Sequence, residues 1–148
     1  MKEGADNMIE IKTLSFEIKT RGSTELLNIT EQVEDQINKS GFKEGNALIF
    51  IGGSTAGITT IEYEPGLISD YPAFFEKIAP SKIRYKHDDT WHDGNGHSHI
   101  RAALQGASFT VPFVEKKPLL GTWQQIVLVE FDIRPRRRNV IVQMVGSE

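Results

Sequence analysis

The chain contains no cysteine. That absence removes disulfides, thiolate nucleophiles and cysteine-held zinc together, so any metal must be bound through nitrogen and oxygen. No apolar run approaches the roughly 18 residues that a membrane-spanning helix needs, so the sequence argues against a membrane partner. The amino end, MKEGADNMIEIK, lacks a basic start followed by an apolar stretch, which gives no secretory signal and predicts a cytoplasmic home. Basic residues are not in excess: 17 Lys+Arg against 20 Asp+Glu leave a net charge of -3. Nucleic acid is therefore not expected, because its non-specific capture depends on many phosphate contacts. Repeats, low-complexity tracts and linkers are also missing. A chain of 148 residues is then read as one domain, 1–148, able to bury about 70% of its unfolded surface.

Several segments carry clear periodicities. Residues 9–19 alternate apolar and polar side chains and predict a strand. NITEQVEDQINKSG, 28–41, predicts a helix capped by Asn28 with Glu31 or by Thr30, with Val33 and Ile37 on one face and Gly41 at its end. NALIFIGG and GITTIEYE are too short and too β-branched for helices and predict neighbouring strands. LISDYPAFFEKIAP spaces Leu67, Phe74, Phe75 and Ile78 helically, with Pro72 near a first turn or at a bend. The last third predicts three strands joined by turns at Glu115–Pro118 and Arg134–Asn139. Many strands, few helices and no βαβ rhythm predict an α+β protein with a mainly antiparallel sheet.

Histidine is scarce too, and its placement is the most informative feature. All four, His87, His92, His97 and His99, lie within HDDTWHDGNGHSH. Any single surface histidine is most simply an accident of a polar loop. Four of them interleaved with Asp88, Asp89, Asp93 and Asn95 supply the imidazoles and hard oxygens that zinc, manganese or magnesium accept, and they point to a functional site. Ile100, Ala103 and Leu104 recur at helical spacing, so a helix starts near Gly96–Ser98 and ends before Gly106. In a helix, residues two apart are separated by about 200°, which argues against a joint His97 and His99 chelate. DGNG is a turn signal, and a turn running into a helix start offers backbone N–H groups that suit a phosphate.

Other candidates are weaker alone. GGSTAG, 52–57, places Ser54 and Thr55 between two strands, where backbone N–H groups could cradle an anion, although it lacks the lysine and helix of a P-loop. Among Arg134, Arg136, Arg137 and Arg138, Arg138 shares strand parity with Val140 and Val142 and projects inward at the rim, while Arg101 competes as a phosphate partner. A charged run at a hairpin is otherwise a solvated turn. Trp123 is read as a core or interface anchor. Gln124, on the opposite side of that strand, is a candidate to line the site, and Glu130 is read as a strand residue. A Ser98-based triad is set aside, since its histidine neighbours in sequence cannot face it and no nucleophile elbow surrounds it.

The stretches NGHSHIRAALQGASFTVPFV, LLGTWQQIVLVEFD and RRNVIVQMVG, with STAGITTIEYEPGL before them, closely resemble the YjbQ or UPF0047 family, some of whose members are described as secondary thiamine-phosphate synthases. The resemblance implies a β-sandwich-like α+β core, a homotrimer with sites near subunit boundaries, and a weak transferase activity joining hydroxymethylpyrimidine diphosphate to thiazole phosphate. It implies catalytic roles for His87, His99 and Glu62, and metal ligation by His87, His99 and Asp93 without an organic cofactor. Asn95, His97, Ser54, Thr55, Gln124 and Arg138 would contact a small phosphorylated substrate. His87 matches a family histidine after an aromatic strand residue, and Asn95 with His99 match its Asn-x-x-x-His element. Two departures stand out: Ile61 replaces the asparagine before Glu62, and Gly53 replaces a histidine. A non-catalytic trimer that binds a metal or an anionic metabolite is the alternative.

Overall fold

The computed structural model describes residues 8–148; the first part of the amino-end stretch MKEGADNMIEIK, on which the absence of a secretory signal was read, lies outside them. Among the described residues, eight strands and four helices follow in the order β1 (Glu10–Thr20), β2 (Glu25–Asn28), α1 (Thr30–Ser40), β3 (Glu44–Ile51), β4 (Ala56–Ile61), α2 (Pro65–Ile78), α3 (Lys86–Trp91), α4 (Gly96–Gln105), β5 (Ser108–Val114), β6 (Lys117–Pro118), β7 (Gln125–Glu130) and β8 (Arg136–Ser147). They form two antiparallel sheets, ordered β1-β8-β3-β5-β6 and β2-β7-β4. The expected α+β, mainly antiparallel architecture is present.

The alternation along the strands explains the layering. In β8, Arg138, Val140, Val142 and Met144 are buried while the residues between them are not, so one face points inward. That face meets β3, β5, the inner sides of β4 and β7, and Val33 and Ile37 of α1. β7 is apolar on both faces. Ile126 and Leu128 join this main core, whereas Val127, Val129 and Phe131 pack against Phe75 of α2 and Ala102 of α4. The smaller sheet is therefore covered by the larger sheet on one side and by helices on the other. A strand buried on both faces reads as a continuous apolar run rather than an alternating one.

Gly45 shows a position where no side chain fits. Its φ is +158° and a Cβ there would run into the carbonyl of Val145 on the neighbouring strand β8. α1 ends on Gly41 in the left-handed region, as its sequence predicts. Its amino end is organised by Asn28, whose Oδ1 accepts from the Thr30 backbone N–H at 3.1 Å and from the Thr30 hydroxyl at 2.7 Å.

Several expectations need correcting. β3 and β4 are not neighbours; the Gly52–Thr55 connector carries the chain from the larger sheet to the smaller one. Arg134–Asn139 is not a turn, since β8 starts at Arg136 and pairs with β1 through Thr20↔Arg136, Lys19↔Arg137 and Ile18↔Arg138. Of the two places read for Pro72, the first turn is excluded, since the residue sits inside α2. Trp123 is 71% exposed and is not a core residue, because it lies in the turn before β7 where no described residue covers it; of the two roles read for it, only that of an interface anchor stays open. The histidine segment contains an extra helix, α3, that buries none of its residues and so left no apolar period to read.

Candidate functional site

Asp88 ties the two histidine-bearing helices together. Its Oδ2 accepts from the Tyr85 N–H at 3.4 Å where α3 begins, and its Oδ1 accepts from the Gly96 N–H at 3.1 Å where α4 begins. Gly96 makes the close packing possible, because a Cβ there would lie 2.5 Å from the Tyr85 Cβ. With the helix starts joined, His87 and His99 come together at 4.2 Å between ring centroids. Their placement depends on this joint rather than on sequence proximity.

The rings face a cleft of about 370 Å³ formed where the β3–β4 connector meets the start of β8. His87, Asp93, Asn95 and His99 make one wall, and Ser54, Thr55, Arg136 and Arg138 make the other. His87 Nε2 lies 3.6 Å from Asp93 Oδ1. With its amide nitrogen toward this side, Asn95 donates to the two Asp93 oxygens at 2.8 and 3.1 Å and lies 3.2 Å from His87 Nε2. The opposite amide orientation offers a single 3.5 Å contact to Asp132. Burial, followed by the neighbouring His87 ring, lowers the pKa of His99 and favours its neutral form.

Buried carboxylates organise the arginine wall. Arg138 reaches Glu130 through Nε at 2.7 Å and Nη2 at 2.6 Å, and Nη2 also donates to Thr55 Oγ1 at 2.8 Å. Glu130 further accepts from Thr20 Oγ1 at 2.8 Å and from the Asp132 N–H at 3.0 Å. Arg136 grips Asp132 Oδ2 through Nε at 2.8 Å and Nη2 at 2.5 Å. Thr55 Oγ1 lies 3.4 Å from the same oxygen and so connects the two pairs. Burial pushes the Asp132 carboxyl up, but the Arg136 hydrogen bonds and the Ile133 N–H outweigh it, and its pKa falls below the usual value.

Of the residues expected at the site, His87, His99, Asp93, Asn95, Ser54, Thr55 and Arg138 line the cleft. Three do not. Glu62 is exposed beyond the far end of β4, about 20 Å of strand away from Thr55 at about 3.3 Å per residue. Gln124 sits at that same distant end, where it donates to Thr60 Oγ1 at 3.1 Å and accepts from the Gly121 N–H at 3.0 Å. His97 faces a different cavity on the other side of α4, as the helical angle requires. His87 lies on a helix rather than after a strand residue. Glu130 is fully buried beneath the cleft, paired with Arg138. Arg101, the competing phosphate partner, is directed away toward Ala79, Thr24 and Glu76.

Asp132 and the cleft-lining Trp91 are members that sequence reasoning missed, and Arg136 was weighed there but passed over for Arg138. The parity of Arg136 with Arg138 was a usable signal, while Asp132 follows β7 and is legible only once its carboxylate is seen beneath the cleft.

The donor types fit a divalent ion. His87 Nε2 and Asp93 Oδ1 are spaced close to the roughly 3.3–3.5 Å that separates two ligands of one tetrahedral zinc with bonds of about 2.0–2.1 Å. Among the described residues, no three His, Asp or Glu side chains are already grouped as a metal-binding set. Gly53, with φ +115°, leaves room beside Arg138, whose Nη1 would lie 3.2 Å from a Cβ placed there.

Fold and cleft together define an antiparallel two-sheet α+β protein with a polar histidine–arginine pocket at the sheet junction. The family model described as UPF0047 protein YjbQ-like matches residues 14–147. The chain belongs to the UPF0047 (YjbQ-like) family. It is 38% identical over 143 residues to a UPF0047 protein of Methanocaldococcus jannaschii, covering 95% of this chain and 100% of that one. The UPF0047 protein YugU of Bacillus subtilis is 36% identical over 138 residues, covering 92% and 99%. Among solved structures, a YbjQ-like protein of unknown function from Sulfolobus solfataricus superposes with a TM-score of 0.83 at 36% identity, covering 93% of this chain and 100% of that one. A hypothetical protein from Aeropyrum pernix gives 0.84 at 31% identity, covering 92% and 99%.

Proposed function

We propose that the cleft binds and transforms a small phosphorylated metabolite, with its phosphate toward the Arg136 and Arg138 wall and its reacting end toward His87 and His99. The observation that carries this proposal is the opposition of two carboxylate-anchored arginines to two imidazoles and Asp93 across one polar cleft. Anchored guanidiniums present their remaining N–H groups in fixed directions, which suits phosphate oxygens. Counting permanently charged side chains, Arg136 and Arg138 are offset by Asp132 and Glu130, and Asp93 leaves the cleft negative. A divalent ion held by His87, His99 and Asp93 would reverse that sign and supply positive charge to a phosphate leaving group. The neutral His99 ring is able to accept a proton near pH 7.

The reaction taken here is that of a secondary thiamine-phosphate synthase. The bond from the pyrimidine's methylene carbon to the diphosphate oxygen breaks, that carbon bonds to the thiazole nitrogen, and diphosphate leaves with the electron pair. Such a displacement asks the protein for positioning and for charge stabilisation rather than for a nucleophile. We further propose that the chain acts in the cytoplasm as a homotrimer, supported by exposed Trp91, Trp123, Phe74 and Leu104, which leave apolar surface for subunit contacts.

A second reading, binding without turnover, is favoured by the neutralisation of both guanidiniums by buried carboxylates. Incubation with the two precursors separates these. Thiamine phosphate above the heat-killed control, lost in His99→Ala, is expected of the transferase. Stoichiometric retention of the diphosphate without product supports the binding module, and the absence of both product and retention overturns both readings. Elemental analysis of wild type and His99→Ala reads the metal, and light scattering reads the trimer.

A further inference from the structure

We propose that the cavity on the opposite face of α4 is a separate binding site for a small, uncharged, polyhydroxylated molecule of monosaccharide size. It has a volume of about 310 Å³ and is lined by His97, Arg101, Glu76, Thr24, Pro72 and Ile133 among others. At about 30 Å³ per water-sized group, that is room for about ten non-hydrogen atoms.

His97 provides the observation that points to a ligand. The residue is only 6% exposed, yet its ring makes no hydrogen bond to any described residue and it borders this cavity. Unlike the sealed Tyr71 Oη and Ser98 Oγ, its ring nitrogens are open to this cavity and left to pair with what fills it. The nearest aromatic neighbour, Tyr85, lies 6.3 Å away between centroids and sends its hydroxyl to the Pro80 carbonyl instead.

The charge pattern selects the class of ligand. Arg101 donates through Nε and Nη2 to the Ala79 carbonyl at 3.0 and 2.7 Å, through Nη1 to Thr24 Oγ1 at 2.9 Å, and through Nη2 to Glu76 Oε2 at 2.7 Å. Glu76 Oε1 accepts from the Ser81 N–H at 2.8 Å and from the Ser81 hydroxyl at 3.0 Å. Among the described residues lining this cavity, the single guanidinium and the single carboxylate neutralise each other. An anion entering it meets Glu76 and a cation meets Arg101, so a charged ligand gains little. Hydroxyl groups both donate and accept, matching the imidazole, the Thr24 hydroxyl and the remaining Nη1–H of Arg101. Pro72 and Ile133 offer apolar contact to the C–H face of such a molecule.

Saturation-transfer NMR on the full chain with glucose, ribose and myo-inositol as separate probes, and with inorganic phosphate added as a charged competitor, tests the assignment. At least one neutral probe is expected to bind, and both His97→Leu and Ile133→Trp are expected to weaken it by about tenfold or more. Ile133 is 42% exposed at the rim, so its replacement fills the mouth while the fold remains intact even where His97→Leu does not fold. His99→Ala, in the other cleft, is expected to leave the affinity unchanged. Absence of binding by all three neutral probes, binding indifferent to Ile133→Trp, displacement of the bound sugar by phosphate, or loss of sugar binding in His99→Ala would each overturn the proposal. None of these outcomes bears on phosphorylated substrates in the first cleft.

Discussion

Glu130→Ala is the sharpest perturbation of the arginine wall. Glu130 is fully buried and accepts four hydrogen bonds, two from Arg138 and one each from Thr20 and the Asp132 N–H. Its removal leaves the Arg138 guanidinium, about 10% exposed, without its carboxylate partner. Breaking a buried pair by deleting one member costs about 3–5 kcal/mol, because the remaining charge stays desolvated. For a chain of this size about 1 kcal/mol moves the melting temperature by roughly 2–4 °C, so a fall of roughly 6–20 °C is expected. Circular dichroism melts, with urea unfolding as a second measure, read the change. The double variant Glu130→Leu/Arg138→Met should recover most of the stability, since an apolar pair of similar volume carries no desolvation penalty. It should nevertheless lose phosphate affinity, because one of the two guanidiniums is gone. A shift of only one or two degrees in Glu130→Ala would refute the claim that this pair is sealed from water.

Further outcomes are expected. The pKa values of His97 and His99 are lowered by burial, with Arg101 and His87 respectively adding to the effect, so the unfolded chain binds protons first as pH falls. Stability is then full above about pH 6.5 and declines as pH drops below it, which urea midpoints from pH 8 to 5 would show; a flat profile in that window contradicts the assignment. Glu76 is held down to about 2, chiefly by the Ser81 N–H and then by Arg101, so its own contribution is lost only as pH falls from about 4.5 toward 2. Gly96→Ala should cost about 1–3 kcal/mol by overpacking against Tyr85, and should separate His87 from His99, visible as altered imidazole NMR shifts. Glu62→Gln should change neither metal content nor phosphate affinity, and a loss of either would return Glu62 to the site.

The legible part of this protein is the part written in short-range periodicity. Alternation in β1 and β8, the apolar face and glycine stop of α1, and the helical spacing of Ile100, Ala103 and Leu104 each follow from local geometry, and each element formed. The angle between successive helical side chains also determined in advance that His97 and His99 would face different ways. The strand parity of Arg138 determined that it would point inward, because a period of two leaves no other choice once Val140 and Val142 are buried.

Tertiary structure alone decided what those side chains meet. No local rule announces that Asp88 bridges two helix starts, since α3 buries nothing and therefore has no apolar pattern. Glu62 follows directly on the strand that begins beside the cleft, yet β4 carries it to the other end of the sheet. Direction along a strand separates residues by distances that sequence proximity conceals. Asp132 and Glu130 became the footing of the arginine wall because β7 ends beneath the start of β8, a juxtaposition of residues from two strands. Chain pattern determines which way a side chain points, and only the packing of elements determines what stands opposite it.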